Sequence, residues 1–349
     1  MRRRPFLAGL PALLLARRAL ALPERPLVFP ADHGAHPDLR TEWWYITGHA
    51  QQGDRQFGFQ VTFFRSRVAA TQDMRSRFAA RQLVFAHAAV TDLRGRRLWH
   101  DQRIARAGFG IAEADEGDAR LKLRDWSLER RAGAWHAVVP AQGFALDLQC
   151  APTQPPILQG QQGLSRKGPD AAQASYYYSE PQLAVRGRLA VQGERFEVTG
   201  KAWMDHEWSE ALMHPDAVGW DWIGMNLHDG SALTAFRLRR ADGSTLWDGG
   251  SFRDARGVLT VSRPGETEFV ARERWTSPAS NATYPVEWSV RTTAGRFTVR
   301  ALIPDQELDS RSSTGAIYWE GLSDLLDESG RPVGRGYLEM TGYAARLRL

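Results

Sequence analysis

Short segments in which apolar and polar residues alternate dominate the chain, and this pattern constrains its fold more than any other feature. Residues 57–64 read Phe-Gly-Phe-Gln-Val-Thr-Phe-Phe, and turn sequences such as Asp229-Gly230 separate comparable segments. Successive side chains of a strand point to opposite faces, so alternation predicts half-buried strands, and Asp-Gly pairs favour hairpins. Helical periodicity is limited to one candidate short helix at 68–80. We therefore expect an all-β fold, either a sandwich or a barrel.

A stretch rich in proline and glycine, residues 151–175, interrupts the strand pattern near the middle of the chain. This composition is typical of a loop or a linker. We expect it to join two strand-rich halves, an N-terminal barrel at 22–160 and a C-terminal barrel at 161–349, which pack together.

The first 21 residues have the features of an export signal. Three arginines at positions 2–4 precede a short apolar stretch, and Ala-Leu-Ala at 19–21 forms a small-x-small cleavage site. Residues 3–7, Arg-Arg-Pro-Phe-Leu, fit the twin-arginine pattern, although the general secretory route stays open. We predict a signal peptide at 1–21 and a periplasmic or secreted protein.

The charge distribution argues against a polyanionic partner. The whole chain carries a formal charge of +5, but residues 1–21 contain five arginines and no acidic residue, so their removal leaves zero. A neutral protein lacks the long-range field that attracts nucleic acids. The sequence has no uninterrupted apolar segment of about 18 residues and no phosphate loop or dinucleotide fingerprint. We expect no nucleic-acid partner, no transmembrane segment and no cofactor.

The first cluster of chemically capable residues lies between positions 32 and 49. Residues 32–36 read Asp-His-Gly-Ala-His, and residues 42–45 read Glu-Trp-Trp-Tyr. Aromatic side chains combine a large apolar area with a polar handle, which suits a ligand pocket, although core packing alone stays an alternative. The two histidines lack an evident third ligand, so we predict no metal site. The predicted ligand-binding residues here are Glu42, Trp43, Trp44 and Tyr45.

A second cluster places three consecutive titratable groups between two tryptophans, in the sequence Trp203-Met204-Asp205-His206-Glu207-Trp208. A carboxylic acid beside aromatic rings is desolvated, which raises its pKa and keeps it protonated near neutral pH, as a general acid requires. We predict catalytic roles for Asp205, His206 and Glu207, with Trp208 in the pocket wall. Solvated charges at a barrel mouth, or a structural hydrogen-bond network, are the alternatives.

A third cluster, Trp220-Asp221-Trp222, leaves its orientation open. Strand alternation places the two tryptophans on one face and Asp221 on the other, so only one face can line a cavity. We keep Trp220 and Trp222 as ligand-binding candidates and Asp221 as a catalytic candidate. Near the C-terminus, residues 337–341 alternate in the same way, and we interpret them as a last barrel strand with a structural role.

Together these motifs resemble the family that contains AttH and the carotenoid 1,2-hydratases, and the resemblance covers residues 30–345. It implies two consecutive lipocalin-like barrels with a ligand cavity. For the hydratase members it implies cofactor-free, acid-promoted addition of water to a terminal isoprenoid double bond. His206 and Trp208 match the family's His-x-Trp element, whereas only Asp221 and Asp229 are candidates for its Tyr-x-Asp element. The Glu-Trp-Trp-Tyr sequence is closer to the branch described as secreted hydrolases.

Two hypotheses about function follow. The first is an enzyme that hydrates, isomerises or cyclises an apolar, isoprenoid-like molecule by acid chemistry, which the charged groups between tryptophans favour. The second is a non-catalytic carrier or chaperone for a lipid, serving an envelope transport system. The predicted export and the absence of Gly-x-Ser-x-Gly and His-Glu-x-x-His motifs favour this second hypothesis.

Overall fold

The computed structural model describes residues 21–347, and β-strands account for nearly all regular structure in that range. The short exceptions are two single-turn 3₁₀ helices, Ala31–His33 and Ala69–Thr71. The described residues contain no helix that is long and apolar enough to cross a membrane. The strands of the first sheet are β1 (Thr41–Gln52), β2 (Arg55–Arg67), β3 (Gln82–Asp92), β4 (Arg97–Arg106), β5 (Ala112–Ala114), β6 (Arg120–Leu123), β7 (Trp126–Arg131), β8 (Ala134–Pro140), β9 (Phe144–Ala151), β10 (Ile157–Leu158), β11 (Leu164–Arg166), β12 (Ala174–Val191) and β13 (Glu194–Ala211).

The first sheet is antiparallel and curls into a nearly closed barrel. Its strand order is β4-β3-β2-β1-β13-β12-β9-β8-β7-β6-β5, with β10 and β11 paired to β12. Strands β3 and β4 also contact β5 and β6, so the two ends of the sheet come together. Large buried side chains, including Trp44, Trp126, Trp135 and Trp208, fill its interior. This enclosed apolar packing is the main source of stability for such a barrel.

The second sheet has ten strands within the described range and follows the order β17-β16-β15-β14-β25-β24-β22-β21-β18, with β23 paired to β24. Its core is built around Trp288 and Trp319. Strands β19 and β20 form a separate two-stranded ribbon. The bounds are β14 (Gly219–Leu227), β15 (Ala232–Arg239), β16 (Thr245–Arg253), β17 (Leu259–Ser262), β18 (Glu268–Ala271), β19 (Arg274–Thr276), β20 (Thr283–Pro285), β21 (Glu287–Thr292), β22 (Gly295–Ala301), β23 (Glu307–Ser310), β24 (Ala316–Leu326) and β25 (Pro332–Met340).

A separate apolar cluster joins the two sheets. Tyr45 of β1 and Trp203 of β13 meet Trp222 of β14, Phe236 of β15 and Tyr337 of β25 in this cluster. Side chains on one face of β1 and β13 fill the first barrel, and those on the other face contact the second sheet. The expected all-β architecture of two lipocalin-like barrels packed together is confirmed.

The change from one sheet to the other falls between Ala211 and Gly219, which differs from the division expected after residue 160. The segment rich in proline and glycine does not leave the first sheet, because its short strands β10 and β11 pair with β12. The candidate helix at 68–80 forms only the 3₁₀ turn Ala69–Thr71. The predicted signal peptide lies outside the described residues except for its last position.

Trp44 connects the N-terminal 3₁₀ turn to the barrel, so its replacement is expected to lower stability. Its indole nitrogen donates a hydrogen bond of 2.8 Å to the main-chain oxygen of His33. Trp44→Phe leaves that buried carbonyl without its donor, and we expect the free energy of unfolding to fall by about 1–3 kcal/mol. Urea denaturation measures the change. Trp99→Phe, in a partly buried ring at the edge of the same core, is the control and should lose less; equal losses would contradict the assignment.

Candidate functional site

A cavity of about 300 Å³ lies between the two sheets and takes its walls from both. Alternation in β1 and β14 sends Trp43, Tyr45, Trp220 and Trp222 into it. The rings of Tyr45 and Trp222 meet edge to face, with centroids 5.4 Å apart. The cavity therefore has a predominantly aromatic and apolar wall. Its titratable side chains are Asp205, Glu207, Glu320, Glu339, Lys167, His87, Tyr45, Tyr177 and Tyr318.

Asp205 points into the cavity and is held by three hydrogen-bond donors. The hydroxyl of Tyr177 donates at 2.8 Å, the indole nitrogen of Trp203 donates at 2.7 Å, and the hydroxyl of Ser179 donates to the same carboxyl group. Burial raises the pKa of Asp205 to about 7, although these hydrogen bonds oppose the shift. Asp205 is thus a fixed carboxyl group that titrates near neutral pH.

Glu207 lies on the same face of β13 as Asp205 but is paired with a cation. The ammonium group of Lys167 lies 3.0 Å from a Glu207 carboxylate oxygen, and the Ser175 hydroxyl donates to that oxygen as well. The ammonium group also lies 4.3 Å from the ring centroid of Phe236. Ion pairing and cation–π contact together stabilise a buried charge. Glu207 is therefore the carboxylate of the cavity that has its own counter-ion.

Glu320 and Glu339 form a pair of carboxyl groups directly opposite each other on β24 and β25. Burial, assisted by the charges of Asp205 and Glu207, raises the pKa of Glu339 to about 8. Burial also raises the pKa of Glu320 well above its usual range, with the charge of Glu339 adding to the effect. The neighbouring Tyr45 hydroxyl offsets part of this rise. Two like charges this close disfavour double ionisation, so the pair retains a proton near neutral pH.

His87 and Tyr318 complete the polar part of the cavity. The His87 Nδ1 atom lies 2.9 Å from the Tyr318 hydroxyl, and its Nε2 atom lies 2.9 Å from the Ser313 hydroxyl. Burial lowers the pKa of His87 to about 3, so the ring is neutral at physiological pH. A neutral imidazole can exchange a proton with its two hydroxyl neighbours without introducing charge.

Four of the residues predicted from the sequence lie away from this cavity, inside the first barrel. Glu42 accepts hydrogen bonds from Arg65 Nε at 2.7 Å, from His36 Nδ1 at 2.7 Å and from His206 Nε2 at 2.9 Å. Burial alone would raise the pKa of Glu42, but the bonds from His206 and His36 hold it well below its usual range. The indole rings of Trp44 and Trp208 stack on His206 and His36, respectively.

The described residues contain one group that could hold a metal ion, because its candidate ligand atoms lie within 4.8 Å of one another. This group consists of His36, Glu42 and His206. The two nitrogen-to-oxygen separations, 2.7 and 2.9 Å, are hydrogen-bond lengths. Two ligands of a tetrahedral zinc ion with bonds of about 2.1 Å lie roughly 3.4 Å apart. Arg65 also occupies the second oxygen of Glu42. The geometry therefore favours a buried hydrogen-bonded network over a metal centre.

Asp221 points into the second sheet, on the opposite face of β14 from Trp220 and Trp222. Arg237 Nε lies 2.8 Å and Arg239 Nε lies 3.1 Å from its carboxylate, and the Tyr343 hydroxyl donates to it at 2.8 Å. The orientation left open by the sequence is thus decided by the structure. The tryptophans line the cavity, and Asp221 is not brought together with Asp205.

The structure divides the eleven predicted residues among three environments. It also adds Glu320, Glu339, His87, Lys167, Tyr177 and Tyr318, which sequence reasoning missed. The alternation at 337–341, which places Glu339 on the same strand face as Tyr337, is the signal that could have identified Glu339. The cavity contains Trp43, Tyr45, Asp205, Glu207, Trp220 and Trp222; the first barrel contains Glu42, Trp44, His206 and Trp208; and the second sheet contains Asp221.

Comparison with known families gives a match over nearly the whole chain. A family model described as AttH-like matches residues 20–343. The crystal structure of a candidate AttH from Nitrosomonas europaea is 45% identical in sequence, with a TM-score of 0.86, and the match covers 93% of this chain and 99% of that chain. No protein with a curated description matches the sequence.

More distant structures share the fold. Kievitone hydratase from Nectria haematococca is 15% identical, with a TM-score of 0.71 and coverage of 92% of this chain and 94% of that chain. CghA, crystallised with Sch210972, is 13% identical, with a TM-score of 0.56 and coverage of 86% and 88%, respectively. At these identities the similarity establishes a common architecture.

The carboxyl pair predicts a distinctive pH dependence of stability. The pKa of Glu339 is about 8 in the folded chain, against 4.5 for an unperturbed glutamate, so between these values the folded chain holds a proton that the unfolded chain has released. The free energy of unfolding therefore falls as pH rises through this window. Glu339→Gln removes the titration, so its stability relative to the wild type should rise by on the order of a few kcal/mol from about pH 5 to pH 8.

Urea denaturation at several pH values measures this difference. Glu268→Gln, at an exposed carboxylate, is the matched control and should show little change over the same range. A constant difference between Glu339→Gln and the wild type would show that Glu339 is ionised in the folded chain.

Proposed function

The chain belongs to the AttH-like family, and from that premise we propose that it adds water to an apolar, isoprenoid- or lipid-like molecule held between its two sheets. The observation that carries the proposal is the presence of buried carboxyl groups with raised pKa values in an aromatic cavity. A carboxyl group that stays protonated near neutral pH is a proton donor for an alkene. The reaction needs no cofactor, because the proton and the water suffice.

The Glu320–Glu339 pair is the best-placed donor in this proposal. Glu320 lines the cavity beside the Tyr45 hydroxyl, whereas Asp205 already accepts three hydrogen bonds. Transfer of the proton to an alkene carbon creates a tertiary carbocation, which the faces of Trp220 and Trp222 stabilise. Water then adds through its oxygen, and its surplus proton returns to the carboxylate left behind. The net reaction converts one alkene and one water into one alcohol.

The distribution of the other polar groups suits the same chemistry. Asp205 and Glu207 lie close enough to raise the pKa of Glu339, so they help to keep the donor protonated. Lys167 lies 3.0 Å from Glu207 and provides a counter-ion for it inside the cavity. Kievitone hydratase has the same architecture, which is consistent with hydration as the reaction class.

We further propose that the protein works outside the cytoplasm. The support is the sequence pattern of residues 1–21, with its arginines, apolar stretch and small-x-small site. N-terminal sequencing of the protein from fractionated cells tests this part, because export with cleavage gives a chain that begins at Leu22. A chain that keeps Met1 and stays with the cytoplasmic fraction would overturn it.

Substitution of the cavity carboxyl groups should abolish turnover. We expect Glu320→Gln, Glu339→Gln and Asp205→Asn each to lower hydration of farnesol, a small acyclic isoprenoid, at least about 100-fold. Mass spectrometry after incubation in heavy-oxygen water measures the oxygen gained. Glu180→Gln is the matched control, because Glu180 is also buried with a raised pKa but lies away from the cavity.

The same experiment separates catalysis from carriage. Farnesol that binds the wild type and gains labelled oxygen supports hydration. Farnesol that binds and stays unlabelled supports the lipid carrier instead. If the wild type does not bind farnesol, the proposed class of isoprenoid-like ligands is wrong. Equal loss of turnover in Glu180→Gln would point to misfolding rather than to chemistry.

The rate should depend on pH with a definite sign. Because the donor must be protonated and burial raises the pKa of Glu339 to about 8, kcat should fall as pH rises through that value. A pH profile of farnesol hydration measures this fall, with circular dichroism to verify that the chain stays folded. A rate that rises steadily above pH 8 would exclude a protonated carboxyl group as the donor.

A further inference from the structure

Aromatic and basic side chains form an exposed patch on the loops that follow β2 and β4. Phe78, Phe109 and Met74 are 67%, 50% and 49% exposed, which is high for large apolar residues. Arg77 and Arg106 lie among them. We call these five residues the mouth patch, for the position that is described below. Exposed apolar groups clustered in this way mark interaction sites more often than isolated ones do.

Four members of the mouth patch contact one another, and Met74 lies on the same loop as Arg77 and Phe78. The rings of Phe78 and Phe109 are stacked, with centroids 5.7 Å apart and planes 6° from parallel. The guanidinium group of Arg106 lies 4.0 Å from the Phe109 centroid and 5.7 Å from that of Phe78. The guanidinium group of Arg77 lies 5.8 Å from both centroids. The patch is therefore one continuous surface that combines apolar rings with positive charge.

The backbone holds Phe109 outward at some cost. Phe109 has a φ of +60°, between Gly108 at +99° and Gly110 at +67°. A bulky residue in this left-handed region is strained by about 1 kcal/mol or more, and glycine or asparagine would form the turn with less strain. The aromatic ring at this exposed position is consequently a feature that the turn itself does not require.

The positive charge of the patch is uncompensated. Neither Arg77 nor Arg106 has a carboxylate within 4 Å among residues 21–347, and the same is true of Arg75 and Arg81 nearby. Residues 68–81 contain three arginines and a single acidic residue, Asp73. Guanidinium groups bind phosphate well because their paired donors match its oxygens. The patch therefore complements a phosphate-bearing partner.

The mouth patch lies beside the opening of the cavity. Its longer loop joins the end of β2 to the start of β3, and the adjoining strand residues Ser66 and Leu83 both line the cavity. Ile104 lines the cavity while being 37% exposed, and Arg106 follows it on the same face of β4. An apolar ligand that enters past Ile104 passes next to the patch.

We propose that the mouth patch docks the chain on the surface of an anionic lipid bilayer, so that apolar molecules pass between the bilayer and the cavity. Phenylalanine side chains insert at the level of the headgroups, and neighbouring arginines bind the lipid phosphates. A bilayer accommodates protruding rings without a preformed pocket, which an acidic protein would have to supply. The inference goes beyond the proposed function, since it holds whether the cavity transforms its ligand or only carries it.

Co-sedimentation with vesicles tests the proposal on the full chain. We expect the wild type to bind vesicles with about 30% phosphatidylglycerol at low salt, and to bind pure phosphatidylcholine at least about tenfold more weakly. Phe78→Ser with Phe109→Ser should weaken binding to the anionic vesicles at least tenfold. Arg77→Gln with Arg106→Gln should weaken it similarly and reduce its dependence on salt.

Val258→Ser with Arg256→Gln is the matched control, because these residues form an exposed apolar and basic pair on the turn before β17. It should bind like the wild type. Absence of wild-type binding to anionic vesicles, or an equal loss in the control, would overturn the proposal. Binding to polyglutamate in preference to anionic vesicles would also overturn it, in favour of an acidic protein partner. Farnesol binding without vesicles should be unchanged in the patch variants, which separates this result from failure of the proposed function.

Discussion

The structure depends on one constraint, the alternation of side chains along the strands that lie between a barrel interior and the interface of the two sheets. Strands β1, β13, β14 and β25 each bury both faces, one in the interior of their own sheet and one at the interface. A step of one residue therefore moves a side chain from a barrel core into the cavity. The position of each polar side chain on these four strands follows from this parity, and so does the chemistry available to it, because burial and partners differ between the two faces.

Two adjacent residues of β13, Asp205 and His206, illustrate the effect. Asp205 faces the cavity, where burial raises its pKa to about 7. Its neighbour His206 faces the first barrel, where it hydrogen-bonds Glu42 and where burial lowers its pKa to about 4. Glu42 in turn is held ionised by basic partners, whereas Glu339 keeps its proton among other carboxyl groups. The charged groups on the barrel face thus anchor the N-terminal segment, whereas the carboxyl groups on the other face line the cavity.

Sequence analysis could predict the fold class and the residue types of the site, but not their grouping. Alternation and turn signals were sufficient for an all-β architecture, and the pairing of Trp220 with Trp222 followed from parity. The consecutive residues Asp205, His206 and Glu207 suggest one cluster in the sequence, although parity sends the middle one to the opposite face. Glu320 and Glu339 meet only through the register of β24 and β25, which no local pattern reveals. The proline- and glycine-rich segment has the composition of a linker, and its strands β10 and β11, of two and three residues, are too short to show alternation.

The cavity also constrains how the two halves of the chain can evolve. Its walls and its carboxyl groups come from both sheets, so neither sheet alone would enclose a ligand or bring Asp205 near Glu339. A gene fragment that encoded one half would specify a barrel without a binding chamber. Selection for this cavity therefore acts on the two halves jointly, and a substitution on one wall changes which substitutions are tolerated on the other. Residues of the first and second sheets that face each other across the cavity are expected to have evolved as partners, however far apart they lie along the chain.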